Sequence, residues 1–216
     1  MDDLNIVLAN YLNEHFCNVP LESPLFYSAP LGLRFELGVP YRGIENSSYF
    51  TNILLRSSMI FRDVFDEDEQ MLVVVKSFRC IEPYTCYNQG EDVFPQYIKL
   101  RSFAEQVNSI ELERHIENNG NLSGITYQHV LQCNIEHIDY IGILKAKAHQ
   151  DFAMEPYISD AVFFINTHKH IILYMYDDRG LDLIAETKEA LLPIYLKYNS
   201  WILAYDKERI DNIFKS

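Results

Sequence analysis

Glycine is scarce in this chain of 216 residues. There are eight in all, none arranged as G-x-G-x-x-G and none followed by Lys-Ser/Thr. Without such glycines, backbone N–H groups have no route to converge on a pyrophosphate, so nucleotide-cradling loops are excluded. Cysteine is equally sparing. Cys17, Cys80, Cys86 and Cys133 are scattered with no C-x-x-C pair, which predicts four free, mostly buried thiols and a reducing compartment. Basic charge is short as well: 18 Lys and Arg stand against 31 Asp and Glu, a net charge of −13. A phosphate backbone is repelled by that average field, so nucleic acid is not an expected partner, whereas the charge is compatible with a basic protein partner or simply with solubility. No apolar run approaches the ~18 to 20 residues that cross a bilayer, so no membrane span is expected. The start, MDDLNIVLANYLNEHF, has acids where a secretory leader carries Lys or Arg, and a cytoplasmic location follows from that reading.

What the chain has in quantity is apolar surface, 48% of residues, with 15 Tyr and 13 Phe. That composition supports a real core and excludes global disorder. The N-terminal segment reads as a helix with Leu4, Val7 or Leu8, and Tyr11 on one face. In LGLRFELG, Leu33, Phe35 and Leu37 alternate with Arg34 and Glu36, the pattern of a half-buried strand. Phe50, Ile53 or Leu54, Ser57, Ile60 or Phe61, and Val64 recur at helical spacing, with Ser47 or Ser48 as the expected N-cap. MLVVVKSF is β-branched and reads as a central strand.

Residues 80–124 are the least regular part. Tyr84, Tyr87, Phe94 and Tyr97 lie among Pro, Gly and Asn, and a short helical piece is expected near SIELERHIENN. The segment reads as an irregular insertion or cover. ITYQHVLQCNIEHI alternates as a strand, and DYIGILKAKAHQDF is helical, with Ile141, Leu144, Lys145 and Ala148 on one side. Three strands follow, ISDAVFFIN, HIILYMYD and LDLIAE, joined by a His/Lys turn at 167–170 and by Asp-Asp-Arg-Gly. A helix bent or ended near Pro193 and a last helix capped by Asp206 complete the chain. The order predicts a single α+β domain over 1–216, with helices packed on a mostly antiparallel sheet.

Most chemical motifs fail on inspection. GNLSG has its serine one place too late for a nucleophile elbow. His129, Cys133 and His137 have i, i+4, i+8 spacing, but on a strand neighbours four apart are separated by roughly 13 Å, too far for one metal or a Cys–His pair. His168 and His170 read as an exposed hairpin tip. No catalytic residue, cofactor or metal is assigned by any motif. The informative stretch is YMYDDRGLDLIA, residues 174–185. As architecture it is a type I turn, with Asp177 accepting backbone N–H groups, Gly180 left-handed in a G1 bulge, and Arg179 paired with Asp178 or Asp182. A turn needs Asp and Gly, however, and has no need of a second acid and an arginine. If the Arg34–Glu36 strand meets this one, Asp177, Asp178, Arg179, Arg34 and Glu36 form a mixed-charge cluster. Such a cluster is able to hold a divalent ion, do acid–base work or clamp an anion.

The C-terminal stretch YDDRGLDLIAETKEALLPIYLKYNSWILAYDKERIDNIF resembles the signature of a bacterial family, domain of unknown function 3885. The matching positions are Tyr176 to Gly180, Asp182, Leu191, Tyr195 and Trp201 to Leu203. PLFYSAPLGLRFELG is similar to the front of such chains, and 80–124 has no counterpart. The signature part is 170–214. The resemblance implies a bacterial source and carries no assigned reaction. Small acidic bacterial α+β domains include immunity proteins that block basic toxins. The expected function is therefore a non-enzymatic, immunity-like protein-binding module. The alternative is a metal-assisted hydrolase or other acid–base enzyme built on the Asp-Asp-Arg cluster.

Overall fold

The computed structural model describes residues 3–40, 47–81, 92–118, 120–152 and 154–215. Among these, eight helices and seven strands follow in chain order. They are α1 (Leu4–Phe16), α2 (Leu25–Ser28), β1 (Gly32–Glu36), α3 (Ser47–Val64), β2 (Gln70–Cys80), α4 (Val93–Tyr97), α5 (Arg101–Ala104), β3 (Asn108–Ile116), β4 (Leu122–Asn134), α6 (Tyr140–His149), β5 (Ala161–Asn166), β6 (Ile171–Met175), β7 (Gly180–Ala185), α7 (Lys188–Tyr198) and α8 (Lys207–Phe214). The strands form one sheet in the order β1-β7-β6-β5-β2-β4-β3, and every pairing is antiparallel. The α+β architecture expected from the alternation of elements is the one observed.

Period-two side chains explain why the middle strands are apolar throughout. Met71, Val73 and Val75 of β2, Val162 and Phe164 of β5, and Leu181 and Leu183 of β7 face a layer built from α3, α4, α6, α7 and α8. Their alternates Leu72, Val74, Phe163, Ile165 and Ile184 face α1 and the chain from Val19 to Ala29. The sheet is thus the middle of three layers. On the helical side, Phe61 stacks on Tyr140 at 4.1 Å and meets Phe164 edge-on at 5.1 Å, tying α3, α6 and β5 together. Truncating a fully buried Phe of this kind costs about 3–5 kcal/mol.

Several expectations are corrected. The helical piece near SIELERHIENN is strand β3, since Glu111 and Glu113 alternate with Ile110 and Leu112 and pairing with β4 supplies the backbone partners. Helix α7 runs on through Pro193 to Tyr198. On α6, Ile141 and Lys145 face outward while Ile143 and Lys147 are buried. Asp206 precedes α8, but its carboxylate makes no cap bond and accepts the Tyr27 hydroxyl instead, at 2.9 and 3.0 Å. Cys80 is disulfide-bonded, whereas Cys17 is free and exposed and Cys133 free and buried. The reading of four free thiols falls, and with it the cysteine argument for a reducing compartment. Tyr84, Cys86 and Tyr87 lie outside the described residues. Among the described residues, no helix is long and apolar enough to cross a membrane.

Candidate functional site

The strand carrying Arg34 and Glu36 does meet the strand after the Asp-Asp-Arg-Gly turn. In the β1/β7 register Arg34 lies opposite Asp182 and Glu36 opposite Gly180. All five residues singled out from the sequence, Arg34, Glu36, Asp177, Asp178 and Arg179, line one cavity of about 970 Å³. Tyr49 from α3, Gln150, Asp151 and Phe152 after α6, and Tyr174 and Tyr176 of the β6 end complete most of its wall. The turn is therefore concave. Asp177 and Asp178 are each only 4% exposed, so both carboxylates face inward rather than into open solvent.

Local bonds fix each side chain. Asp177 Oδ1 accepts the Arg179 backbone N–H at 2.8 Å, the short loop an aspartate makes with the amide two residues on. Its other oxygen accepts both Nε, at 2.9 Å, and Nη2 of Arg179. This bidentate pairing raises the Arg179 pKa still further, although that side chain is 73% exposed. The expected pairing with Asp178 or Asp182 is thus replaced by one with Asp177. Asp178 accepts the Tyr49 hydroxyl, and burial raises its pKa, a trend the tyrosine opposes and Asp177 reinforces. Gly180 is not left-handed, since Gly120 is the positive-φ glycine among the described residues. A Cβ at Gly180 would lie 2.7 Å from the Phe35 carbonyl oxygen and against the Tyr176 ring, so close approach of β1, not turn conformation, demands glycine.

Behind the cavity sits a buried charge pair. Asp182 is fully buried. It accepts the Phe26 N–H at 3.1 Å and lies 3.4 Å from Arg34 Nε, within ion-pair reach but off the hydrogen-bond direction. Burial pushes its pKa up to about 6, against the pull of Arg34. The Arg34 guanidinium is held between the Tyr27 and Tyr176 rings, 5.0 and 4.8 Å from their centroids. Stacking between two rings keeps a cation in place where water is scarce. On the far side of the turn, the carboxylates of Asp151, Asp177 and Asp178 approach within 4.8 Å of one another.

A second cavity, about 550 Å³, went unseen in the sequence. It lies between β2–β4–β3 and the chain of α4 and α5, with Val75, Phe94, Val107 and Tyr127 as apolar wall. At its polar end His129 Nε2 bonds Ser77 Oγ at 3.1 Å and Nδ1 bonds Ser109 Oγ at 2.7 Å, while Asp160 takes Arg79 with two bonds of 2.9 Å. Burial lowers the His129 pKa. Ser109 belongs to the segment read as helical, so nothing in the sequence placed it opposite His129. Cys133 lies four residues along the same strand and does not join His129 in a site.

The family model described as "Domain of unknown function (DUF3885)" matches residues 8–206. The chain belongs to the DUF3885 family. This DUF3885 chain is also 26% identical over 209 residues to the uncharacterized protein YnaE of Bacillus subtilis (strain 168), covering 92% of this chain and 98% of that one. No solved structure matches it significantly. The match by family model extends well beyond the C-terminal signature, so β1 and the Tyr176–Gly180 turn that together wall the larger cavity both fall within it.

Proposed function

We propose that this DUF3885 protein is a binding protein, and that the cavity behind the Tyr176–Gly180 turn receives a lysine or arginine side chain from a basic partner protein. The observation that carries this reading is the convergence of Asp151, Asp177 and Asp178 within 4.8 Å in a cavity of about 970 Å³. Two of these acids are buried, and an arriving cation offsets the repulsion and desolvation that raise Asp178. Arg179 already displays the recognition on offer, its guanidinium gripping Asp177 with two side-chain bonds at the cavity mouth. The aromatic walls Phe152, Tyr174 and Tyr176 suit a flat cation as well. A net charge of −13 steers a basic protein toward the surface.

The same carboxylate spacing favours a second reading, a hard divalent ion held by oxygen ligands and used for hydrolysis. Arg34 and Arg179 would then face the anionic part of a substrate. One titration separates the two. N-acetyl-arginine methylamide, and separately Mg²⁺ and Mn²⁺, are added to the full chain while the amide signals of Asp151, Asp178, Arg179 and Gly180 are followed. Saturable shifts with the arginine probe, weakened in Asp151→Asn, support the partner reading. Saturable Mg²⁺ binding without any response to the probe transfers the site to the enzyme reading, and silence from all three ligands removes both.

A further inference from the structure

Far from that cavity, three metal-ligating side chains meet where the end of α1, the β5–β6 turn and the end of β7 come together. They are His15, His170 and Glu186, whose ligating atoms lie within 4.8 Å of one another. We propose that they form a binding site for a borderline-soft divalent ion such as Zn²⁺, one that fastens α1 to the sheet.

Chemistry and distance both point there. Two imidazoles and one carboxylate are a ligand set zinc accepts, with a further position left to water. Ligand atoms ~2.0–2.1 Å from a tetrahedral zinc stand about 3.3 Å apart. His15 Nδ1 to Glu186 Oε2 is 3.1 Å and His170 Nε2 to the same oxygen is 3.9 Å, values that bracket this spacing. Tyr11 supplies the outer support. Its hydroxyl donates to Asn166 O at 3.4 Å and lies 3.1 Å from His170 Nδ1. In the tautomer protonated on Nδ1, the Tyr11 oxygen accepts Nδ1–H and the bare lone pair of His170 lies on Nε2, the atom facing Glu186, which is the form a metal would select. Such an orienting bond to the non-ligating nitrogen is the usual companion of a metal-bound histidine. The imidazoles now stack, 4.0 Å between centroids at 20°, so their lone pairs run side by side. Closing on a metal requires the His15 ring to turn about its side-chain bonds. His15 stands in the last turn of α1 with its ring against Tyr11 at 4.8 Å between centroids, so that rotation also shifts the Tyr11 contact.

Reading 168–170 as a simple exposed polar tip therefore needs amendment at its last residue. His170 is only partly exposed and has φ 50, the left-handed region. The test is Zn²⁺ titrated calorimetrically into the untagged full chain, with Co²⁺ absorption as a check on coordination and thermal midpoints with and without the metal. The variants are Glu186→Gln and His170→Asn, the latter chosen because asparagine tolerates a positive φ. Binding at one ion per chain, a raised midpoint and at least tenfold weaker affinity in both variants are expected, with Tyr11→Phe weakening it about tenfold. Cys17→Ser must leave affinity unchanged. Absence of saturable binding overturns the proposal, as does loss of binding in Cys17→Ser with retention in His170→Asn. Since the larger cavity is probed with arginine, Mg²⁺ and Mn²⁺, failure of one site is distinguishable from failure of the other.

Discussion

Replacing Asp182 by asparagine will flatten the pH dependence of stability between about pH 4 and pH 7. Asp182 is fully buried, and its pKa is pushed up to about 6 in the folded chain, against about 3.9 for an unfolded aspartate. Below pH 4 the residue is protonated in both states and contributes nothing to the difference. Between 4 and 6 the unfolded chain ionises while the folded chain keeps its proton, so the native state binds more protons and stability falls as pH rises. Above 6 the cost is complete. Two pH units at ~1.4 kcal/mol each make it about 3 kcal/mol, and a chain of this size loses ~2–4 °C of midpoint per kcal/mol. The asparagine variant lacks this titration while keeping an acceptor for Phe26 N–H. Its absolute midpoint also reflects the loss of a counter-charge for Arg34, which is why the comparison is made across pH rather than at one pH. The midpoint of the parent minus that of the variant should be about 6–12 °C greater at pH 4 than at pH 7. A difference independent of pH would show that Arg34 holds Asp182 ionised throughout, and would refute the argument that burial outweighs the pair.

Two further outcomes follow from the same geometry. Gly180→Ala should cost about 1–3 kcal/mol in a denaturant melt through overpacking, because its Cβ would press on the Phe35 carbonyl and the Tyr176 ring; an unchanged midpoint would mean β1 is free to retreat. An aromatic disulfide reagent should react quickly with exposed Cys17, and Cys17→Ser should remove that phase. Buried Cys133, its pKa pushed up to about 12, should stay silent until unfolding, and rapid loss of it in the folded chain would contradict the packing of β4.

Strand patterns were legible wherever one element decided its own fate. Residues 161–185 read correctly because β-branched and aromatic runs between two turns leave little alternative, and Leu33, Phe35 and Leu37 alternate whatever surrounds them. The site was legible in part for a similar reason, since two acids and an arginine exceed what a turn needs. What stayed hidden depended on partners distant in sequence. Gly180 looks like a turn glycine until β1 arrives beside it. Asp182 reads as a candidate partner of Arg179 until Phe26 and Arg34 enclose it. The alternation of Ile110 and Leu112 with Glu111 and Glu113 is too short to decide β3 alone, its ladder with β4 does so, and Ser109 could not be placed before that ladder was known. His15, His170 and Glu186 are separated by more than 150 positions of chain from first to second, and no local spacing rule joins them.

The sheet also ends differently on its two sides. At β1 the outer rim is already occupied, for Ile202 bridges Phe35 and the Leu203 N–H bonds the Arg34 carbonyl at 2.9 Å. At β3 the rim carries no such cover among the pairings described, but its register slips between Glu111 and Glu113 and again between His115 and Ile116. An eighth strand arriving there would find its hydrogen-bonding rhythm broken twice and would meet the charged side chains of Glu111, Glu113 and Arg114 on the way in. One margin is sealed and the other is made inhospitable, which is how a sheet so apolar on both faces remains a finite object.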